Sequence, residues 1–141
     1  RHQYVVTEPI DEFLNREQEM PVTRDPFCSA YYRQEQKSGL IGLYETGSRE
    51  AWPDKGGQDW NAENELFDEE LEPIMPWLER VRNRVPIFAD AGLAKVINGA
   101  ISHTPDDNPL VGPAAGVRNF WLCCGSSLGI AQGAGCGKYL A

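Results

Sequence analysis

The alternation of hydrophobic and polar positions predicts several short strands in the first part of the chain. His2 to Thr7 is rich in aromatic and β-branched residues, which favours a strand. Residues 28–34 and 40–44 predict two more strands, with a turn at residues 37–39 between them. Because this connection is short, the two strands are expected to form an antiparallel hairpin. Residues 20–24 predict a further short strand.

An amphipathic helix is the strongest periodic signal in the chain. Between Leu71 and Val85, apolar residues recur at the i, i+3, i+4, i+7 spacing of one helix face. Acidic residues precede this stretch and arginines end it, as the helix dipole favours. Pro73 and Pro76 are tolerated only near the first turn, so regular hydrogen bonding is expected from about Glu72.

The stretches around this helix predict loops and two more strands. Residues 45–64 show little periodicity and are expected to form a loop, and a short helical turn is expected after Pro86. The remaining pattern predicts a strand over residues 93–102, an irregular loop over 103–113 and a strand over 118–124.

The last segment carries glycine at every fourth position, namely Gly125, Gly129, Gly133 and Gly137. The residues between them are apolar enough to predict a helix that starts near Ser127 rather than a flexible tail, which is the alternative. Each glycine inside a helix costs about 1 kcal/mol relative to alanine. A spacing of four places these glycines on one face, where another element can approach closely.

The composition indicates a globular α+β domain. The chain has 141 residues, 24% of them charged, and a net charge of -8, which disfavours binding to nucleic acid or to anionic membranes. It shows neither an apolar run that could span a membrane nor a basic leader, so a cytoplasmic or organelle location is expected. Residues 1–91 carry 10 basic and 19 acidic residues, whereas residues 92–141 carry 3 and 2 together with nine of the 14 glycines. The two segments are therefore expected to differ, the first as a solvated body and the second as backbone close to a ligand.

The four cysteines do not form a metal-binding pattern. Cys28, Cys123, Cys124 and Cys136 include no CxxC pair, and no histidine lies at zinc-finger spacing. They are expected to be reduced thiols that act as small hydrophobic residues. No metal site is predicted.

Three stretches of the sequence resemble one family of flavoproteins. HQYVVTEPI at the start, YYRQE followed by GLIGLYE, and the block from INGAISHTPDDNPLVGP to LCCGSSLGIAQGAGCGKYLA are similar to the FAD-dependent dimethylglycine and sarcosine dehydrogenase group of the D-amino-acid-oxidase-like family. The resemblance runs from residue 2 to residue 141. It implies that residues 1–91 supply an antiparallel substrate-domain sheet with flanking helices and that residues 92–141 contact the flavin. It also implies that the glycine-rich helix packs on an amino-terminal FAD-binding half, with its GxGxxG motif, that this chain lacks.

The resemblance also implies catalytic and substrate-binding residues. His2 would lie near the substrate amine; the alternative is an ordinary strand histidine, and His103 is expected to be structural. Tyr31 and Tyr32 match a tyrosine pair of the family, although the family pattern YYxRQE has one residue more before the arginine. Neighbours on a strand point to opposite faces, so only one of the two tyrosines is expected to face the flavin. Arg33 would bind a substrate carboxylate, unless it is a solvated surface charge.

The implied FAD-binding residues lie in the last third of the chain. Pro109, Val111 and Gly112 resemble a flavin-edge loop, and the start of the last helix would direct its positive end at the flavin N1 and C2 carbonyl. That helix start comprises Gly125, Ser126, Ser127, Leu128, Gly129 and Ile130. Asp106 and Asp107 are expected to make turn hydrogen bonds rather than to transfer protons.

By this resemblance the protein is expected to be part of an FAD-dependent oxidoreductase that oxidises an N-methylated amino acid such as dimethylglycine or sarcosine. These residues alone are expected to be inactive. The implied partners are the methylated amine, the FAD-binding half and, in a full-length protein, folate, with the cytoplasm or the mitochondrial matrix as the location. Two alternatives are a non-catalytic regulatory or interaction subunit that keeps the fold and a small self-sufficient binding domain. His2 and the tyrosine pair favour the enzyme.

Overall fold

A computed structural model of the protein describes residues 1–47, 49–54, 56–63 and 66–141. It divides the chain into two units, Arg1–Ala100 and Ile101–Ala141. The first unit contains, in chain order, β1 (His2–Thr7), α1 (Asp11–Leu14), β2 (Thr23–Asp25), β3 (Ala30–Glu35), β4 (Ser38–Leu43), α2 (Leu71–Arg84), a 3-10 turn (Pro86–Phe88) and β5 (Leu93–Gly99). The second unit contains β6 (Leu110–Pro113), β7 (Trp121–Cys124) and α3 (Gly129–Leu140).

The five strands of the first unit form one antiparallel sheet in the order β2-β3-β4-β1-β5. Strand β1 lies between β4 and β5, with Tyr4 opposite Gly42 on one side and opposite Ile97 on the other. The β3–β4 hairpin turns through two residues, and Gln36 adopts a φ of 53° there. The antiparallel sheet and its flanking helices confirm the α+β fold class predicted from the sequence.

One face of this sheet is buried and the other is partly open. Burial alternates along β1 and β3, as the two-residue period of a strand requires. Helix α2 is amphipathic and contributes Ile74, Leu78 and Val81 to the buried side. The hydrophobic core comprises Val5, Ile10, Phe13, Cys28, Ala30, Tyr32, Ile41, Leu43, Ile74, Leu78, Val81, Phe88 and Val96.

Helix α2 begins at Leu71, one residue before the predicted start, and it keeps Pro76 within its helical span. The chain leaves the helix at Val85, and Pro86 then opens the expected short 3-10 turn. Phe88, which closes that turn, is 1% exposed and packs edge-on against both Phe13 and Tyr32. The turn therefore anchors the helix to the buried face of the sheet.

The second unit is a two-stranded hairpin followed by helix α3. Leu110 pairs with Cys124 and Pro113 with Trp121. The prediction of a loop over all of residues 103–113 was wrong at its end, because Leu110–Pro113 forms strand β6. The strand has only one partner strand, so Pro113, which lacks an N–H, is tolerated at its end. Helix α3 starts at Gly129 rather than near Ser127, since Gly125 has a φ of 71° and Leu128 is not yet helical.

Strand β5 belongs to the sheet of the first unit through its full pairing with β1. The two units accordingly divide between Ala100 and Ile101, nine residues after the division that charge and glycine content predicted. The change in charge along the sequence therefore comes before the boundary between the two units. Among the described residues, no helix is long and apolar enough to cross a membrane.

Candidate functional site

The partly open face of the first-unit sheet carries most of the residues that the sequence singled out. Because side chains alternate along each strand, His2 and Tyr4 of β1 share this face with Tyr31 and Arg33 of β3. The register places Tyr31 opposite Gly42, and Gly42 opposite Tyr4. The open face is therefore a surface of phenol, imidazole and guanidinium groups supported by the core beneath it.

Tyr31 lies across the strand next to it. A Cβ atom at Gly42 would overlap the Tyr31 ring, so the absent side chain makes room for the phenol. The ring also contacts Tyr44, with centroids 5.7 Å apart. Burial raises the pKa of the Tyr31 phenol, and the nearby Tyr44 and Tyr4 raise it further. The hydroxyl group therefore stays protonated at neutral pH and is able to donate a hydrogen bond.

Tyr32 points the other way, into the core, where it is 7% exposed. Its hydroxyl group donates to Asp25 Oδ2 at 3.3 Å, and its ring packs on Phe88. The Asp25 carboxylate also accepts hydrogen bonds from Arg84 Nε at 2.9 Å and from the Phe27 N–H at 3.0 Å. Tyr31 and Tyr32 thus lie on opposite faces, which places Tyr31 on the open face and ties Tyr32 into the packing of β2, β3 and α2.

The Asp25 carboxyl is held in its charged form by these donors. Burial alone would raise its pKa, but the hydrogen bonds from Arg84, Cys28 and Phe27 outweigh burial, and the pKa lies below its ordinary value. The pKa of Tyr32 is raised by burial and by the nearby Asp25. This cluster joins three elements of the core.

His2 is paired with an acidic residue that the sequence did not single out. Its Nδ1 atom lies 3.2 Å from Glu45 Oε2. Both side chains are largely buried, with 16% of His2 and 7% of Glu45 exposed. The GLIGLYE stretch contains Glu45, Gly42 and Tyr44, yet the sequence marks only its strand pattern, because the histidine and its partner are 43 positions apart.

Arg33 lies on the same face, but its guanidinium is engaged. It forms an ion pair with Glu35 and donates from Nη1 to the backbone oxygen of Gln34 at 3.2 Å. Its side chain is 37% exposed. A substrate carboxylate would therefore have to compete with Glu35 for this cation.

In the second unit, three of the predicted FAD-binding residues line one pocket. The pocket has a volume of about 560 Å³, within the range of small-molecule sites. Gly112 has a φ of 132°, and a Cβ atom there would meet no atom within 4 Å. The lining consists of Pro109, Val111, Gly112, Ala131, Gln132, Gly135, Cys136 and Tyr139. The predicted residues Gly125 to Ile130 are not among them.

Those residues instead form the turn that precedes helix α3 and the first two positions of the helix. No side chain in the described part of the unit caps the helix at Leu128, whose backbone oxygen accepts the N–H groups of Ala131 and Gln132. The first helical N–H groups, at Gly129 and Ile130, have no intrahelical acceptor, as at every helix start. Ser126 Oγ donates to Gln132 Oε1 at 2.8 Å, which links this turn to the pocket lining.

These features fit a flavin. A mostly apolar pocket suits an aromatic ring system, and an uncapped helix start suits the carbonyl side of that ring, where negative charge accumulates.

The loop before β6 makes its expected turn contacts: Asp106 Oδ1 accepts the Asn108 N–H at 3.2 Å, and His103 pairs with Asp107. Among the described residues, no group of three or more His, Cys, Asp or Glu is placed to hold a metal ion.

A solved structure shares the fold of this chain. The structure of L-proline dehydrogenase from P. horikoshii superposes with a TM-score of 0.64 at 19% identity, covering 99% of this chain and 33% of that one. Residues 1–141 match the family described as FAD dependent oxidoreductase, DAO. The chain therefore belongs to the DAO family of FAD-dependent oxidoreductases.

Three related enzymes and subunits align with nearly the whole chain. It is 39% identical to human mitochondrial dimethylglycine dehydrogenase over 100% of its length and 37% identical to human mitochondrial sarcosine dehydrogenase over 99%. It is also 26% identical, over 99% of its length, to the mitochondrial regulatory subunit of mouse pyruvate dehydrogenase phosphatase. The chain spans only 17%, 14% and 16% of these three relatives, respectively.

Proposed function

We propose that the full-length protein containing this chain is an FAD-dependent enzyme that oxidises a secondary or tertiary N-methylated amino acid, such as dimethylglycine or sarcosine. The names of the two most similar relatives described above support this substrate class. The observation that carries the proposal is the open sheet face, on which His2, Tyr31 and Arg33 lie together over a packed core. We place the enzyme in the mitochondrial matrix, as the names of these relatives suggest, or in the cytoplasm of an organism without mitochondria.

The reaction class sets what these side chains must do. When bound, FAD would supply the acceptor for a hydride from the N-methyl carbon, and water would then cleave the resulting C=N bond to formaldehyde and the demethylated amine. The Tyr31 hydroxyl, protonated at neutral pH, donates a hydrogen bond to the substrate. Arg33 attracts the carboxylate of the amino acid, and His2 contacts the amine. Tyr32 remains a core residue.

The second unit carries the candidate cofactor-binding residues. Pro109, Val111 and Gly112 line an apolar surface for the ring system. The N–H groups of Gly129 and Ile130 at the helix start would hold the carbonyl side of the flavin and would stabilise negative charge there. The glycine face of α3 receives an element of an amino-terminal FAD-binding half that lies outside these residues.

The second candidate is a non-catalytic subunit that keeps the flavoprotein fold. The observation that favours it is the similarity to the regulatory subunit of a phosphatase. A protein of this kind needs the core and the surfaces but not the phenol of Tyr31 over Gly42. The two candidates therefore differ in whether the open face reacts.

Two adjacent tyrosines provide a matched test. In the purified full-length protein loaded with FAD, Tyr31→Phe should slow anaerobic flavin reduction by dimethylglycine about 10- to 100-fold and leave the melting temperature unchanged. Tyr32→Phe should lower the melting temperature, because it removes the hydrogen bond that the Tyr32 hydroxyl donates to Asp25. The rate of flavin reduction should stay within about twofold of the wild-type rate. Reduction that is equally fast in wild type and Tyr31→Phe would remove Tyr31 from the site. A wild-type protein whose flavin no methylated amine reduces would favour the non-catalytic candidate.

A further inference from the structure

We propose that Glu45 is a positioning residue that holds the imidazole of His2 through Nδ1 and fixes its tautomer for the amine substrate. This inference rests on the proposed function, because it assigns Glu45 a role in the site to which His2 is assigned. The structural basis is the 3.2 Å approach between His2 Nδ1 and Glu45 Oε2. A carboxylate at this distance accepts a hydrogen bond from Nδ1–H, and in the neutral form of the ring this contact would leave the lone pair on Nε2.

The topology of the sheet brings the two residues together. Strand β1 begins at His2, and strand β4 ends at Leu43, two residues before Glu45. Because β1 and β4 are antiparallel, with Tyr4 opposite Gly42, the start of one strand lies beside the end of the other. The pair is therefore held by the backbone pairing of two central strands rather than by side-chain flexibility.

Burial gives this contact its strength. Only 7% of the Glu45 side chain is exposed, and a buried carboxylate is stable only where hydrogen-bond donors or cations surround it. Glu45 also lines a small cavity of about 40 Å³ together with Gln3, Asn98 and two cations, Arg1 and Arg49. In such surroundings a hydrogen bond to a charged group is stronger than the same bond in water. The two cations keep the Glu45 carboxylate charged, and its 3.2 Å contact with Nδ1 orients the His2 ring.

The chain offers a matched control in the second unit. His103 Nδ1 and Asp107 Oδ1 are also 3.2 Å apart, but 50% of the histidine side chain and 76% of the aspartate are exposed. Water competes with an exposed pair, and such pairs contribute little. The same two functional groups at the same distance therefore differ in burial and in the elements that hold them. Asp107 has no part in the proposed site.

The first experiment reads the tautomer without any turnover. The full-length protein is labelled with 15N-histidine, and long-range proton–nitrogen spectra report which ring nitrogen of each histidine carries the proton. We expect His2 to be protonated at Nδ1 in the wild type and in Glu45→Gln, whose amide oxygen still accepts, and to lose this state in Glu45→Ala. Asp107→Ala should leave the His2 signals unchanged. A His2 signal that is identical in wild type and Glu45→Ala would overturn the proposal.

The second experiment measures anaerobic flavin reduction by dimethylglycine in the holoenzyme. Glu45→Ala should slow reduction about tenfold at unchanged FAD content, and Glu45→Gln by less than about threefold. The double variant His2→Ala, Glu45→Ala should be no slower than His2→Ala alone, because Glu45 acts only through the histidine. If the two effects instead multiply, Glu45 does not act through His2 and the proposal fails. If no methylated amine reduces the wild type, the proposed function fails, and the tautomer spectra still decide the contact between Glu45 and His2.

Discussion

Glycine serves opposite purposes in the two units of this protein. In strand β4, Gly39 and Gly42 are each covered by an aromatic ring, since an added Cβ would overlap Phe88 at the first position and Tyr31 at the second. In helix α3, an added Cβ at Gly133 or Gly137 would meet no atom of that unit within 4 Å. In the strand, the space left by each missing side chain is filled by an aromatic ring. In the helix, no atom of the same unit fills the space beside these two glycines.

The two units also differ in how much apolar surface they bury. The first unit buries a connected cluster of thirteen hydrophobic residues, but among the apolar residues of the second only Cys136 is buried. Large apolar side chains of the second unit are exposed, including Ile130 and Tyr139. A segment of this size rarely buries enough apolar surface to be stable by itself. This exposure supports the proposal above that the glycine face of α3 contacts another part of the full-length protein.

The largest effect is expected for Gly39→Ala in the first unit. The new methyl group would overlap Phe88, which is 1% exposed and held between Phe13 and Tyr32, so the ring cannot move aside. We expect the free energy of unfolding to fall by about 2 kcal/mol in chemical denaturation of the full-length protein.

Gly42→Ala is the matched control for this change. It displaces Tyr31 on the open face, where the ring is only half buried, unlike the enclosed ring of Phe88. The loss of stability should therefore be smaller than for Gly39→Ala, while flavin reduction should slow. Equal losses of stability at the two positions would contradict the assignment of a packed face and an open face.

An intermediate effect is expected for Asp25→Asn, which weakens the acceptor for Arg84 and Tyr32. Because the pKa of Asp25 is lowered in the folded protein, its contribution to stability is full above the unfolded value of about 3.9 and is lost as the pH falls through the folded value. The melting temperature of the variant should lie below that of the wild type at pH 7. The difference should shrink in acid.

Asp106→Asn in the second unit provides the comparison. The pKa of Asp106 is also lowered, by hydrogen bonds from the Asn108 side chain and backbone, but this carboxyl lies on an exposed loop. Its replacement should change the melting temperature much less than Asp25→Asn. A larger change at Asp106 would show that the second unit contributes more to stability than its exposure indicates.

The smallest effect, and one of opposite sign, is expected for Gly133→Ala in α3. In a peptide of residues 126–141, circular dichroism should show more helix, since alanine is favoured over glycine by about 1 kcal/mol inside a helix. In the full-length protein the same methyl group should lower the FAD content, because it blocks the contact that the glycine face is proposed to make. Unchanged FAD content would contradict the proposal that the glycine face makes a contact needed for FAD binding.

Local signals predicted the fold of the first unit well. Hydrophobic residues recur with a period of two in β1 and the β3–β4 hairpin and with a period of 3.6 in α2, so the sequence predicts these elements. The opposite directions of Tyr31 and Tyr32 follow from the alternation of side chains along a strand. Strand β6 escaped prediction because three prolines surround only two β-branched or aliphatic positions. The Glu45 contact escaped prediction because it depends on strand pairing across 43 residues.

Strand β3 pairs with β4 from Ala30 to Glu35 without a bulge. A residue inserted between Tyr32 and Arg33, as in the longer form of the motif, would send either the tyrosines or the following residues to the other side of the sheet. Since the tyrosines are neighbours, they would exchange places, and each side would still carry a phenol. The doubled tyrosine therefore keeps a phenol on the open face even if one residue is gained or lost in this strand.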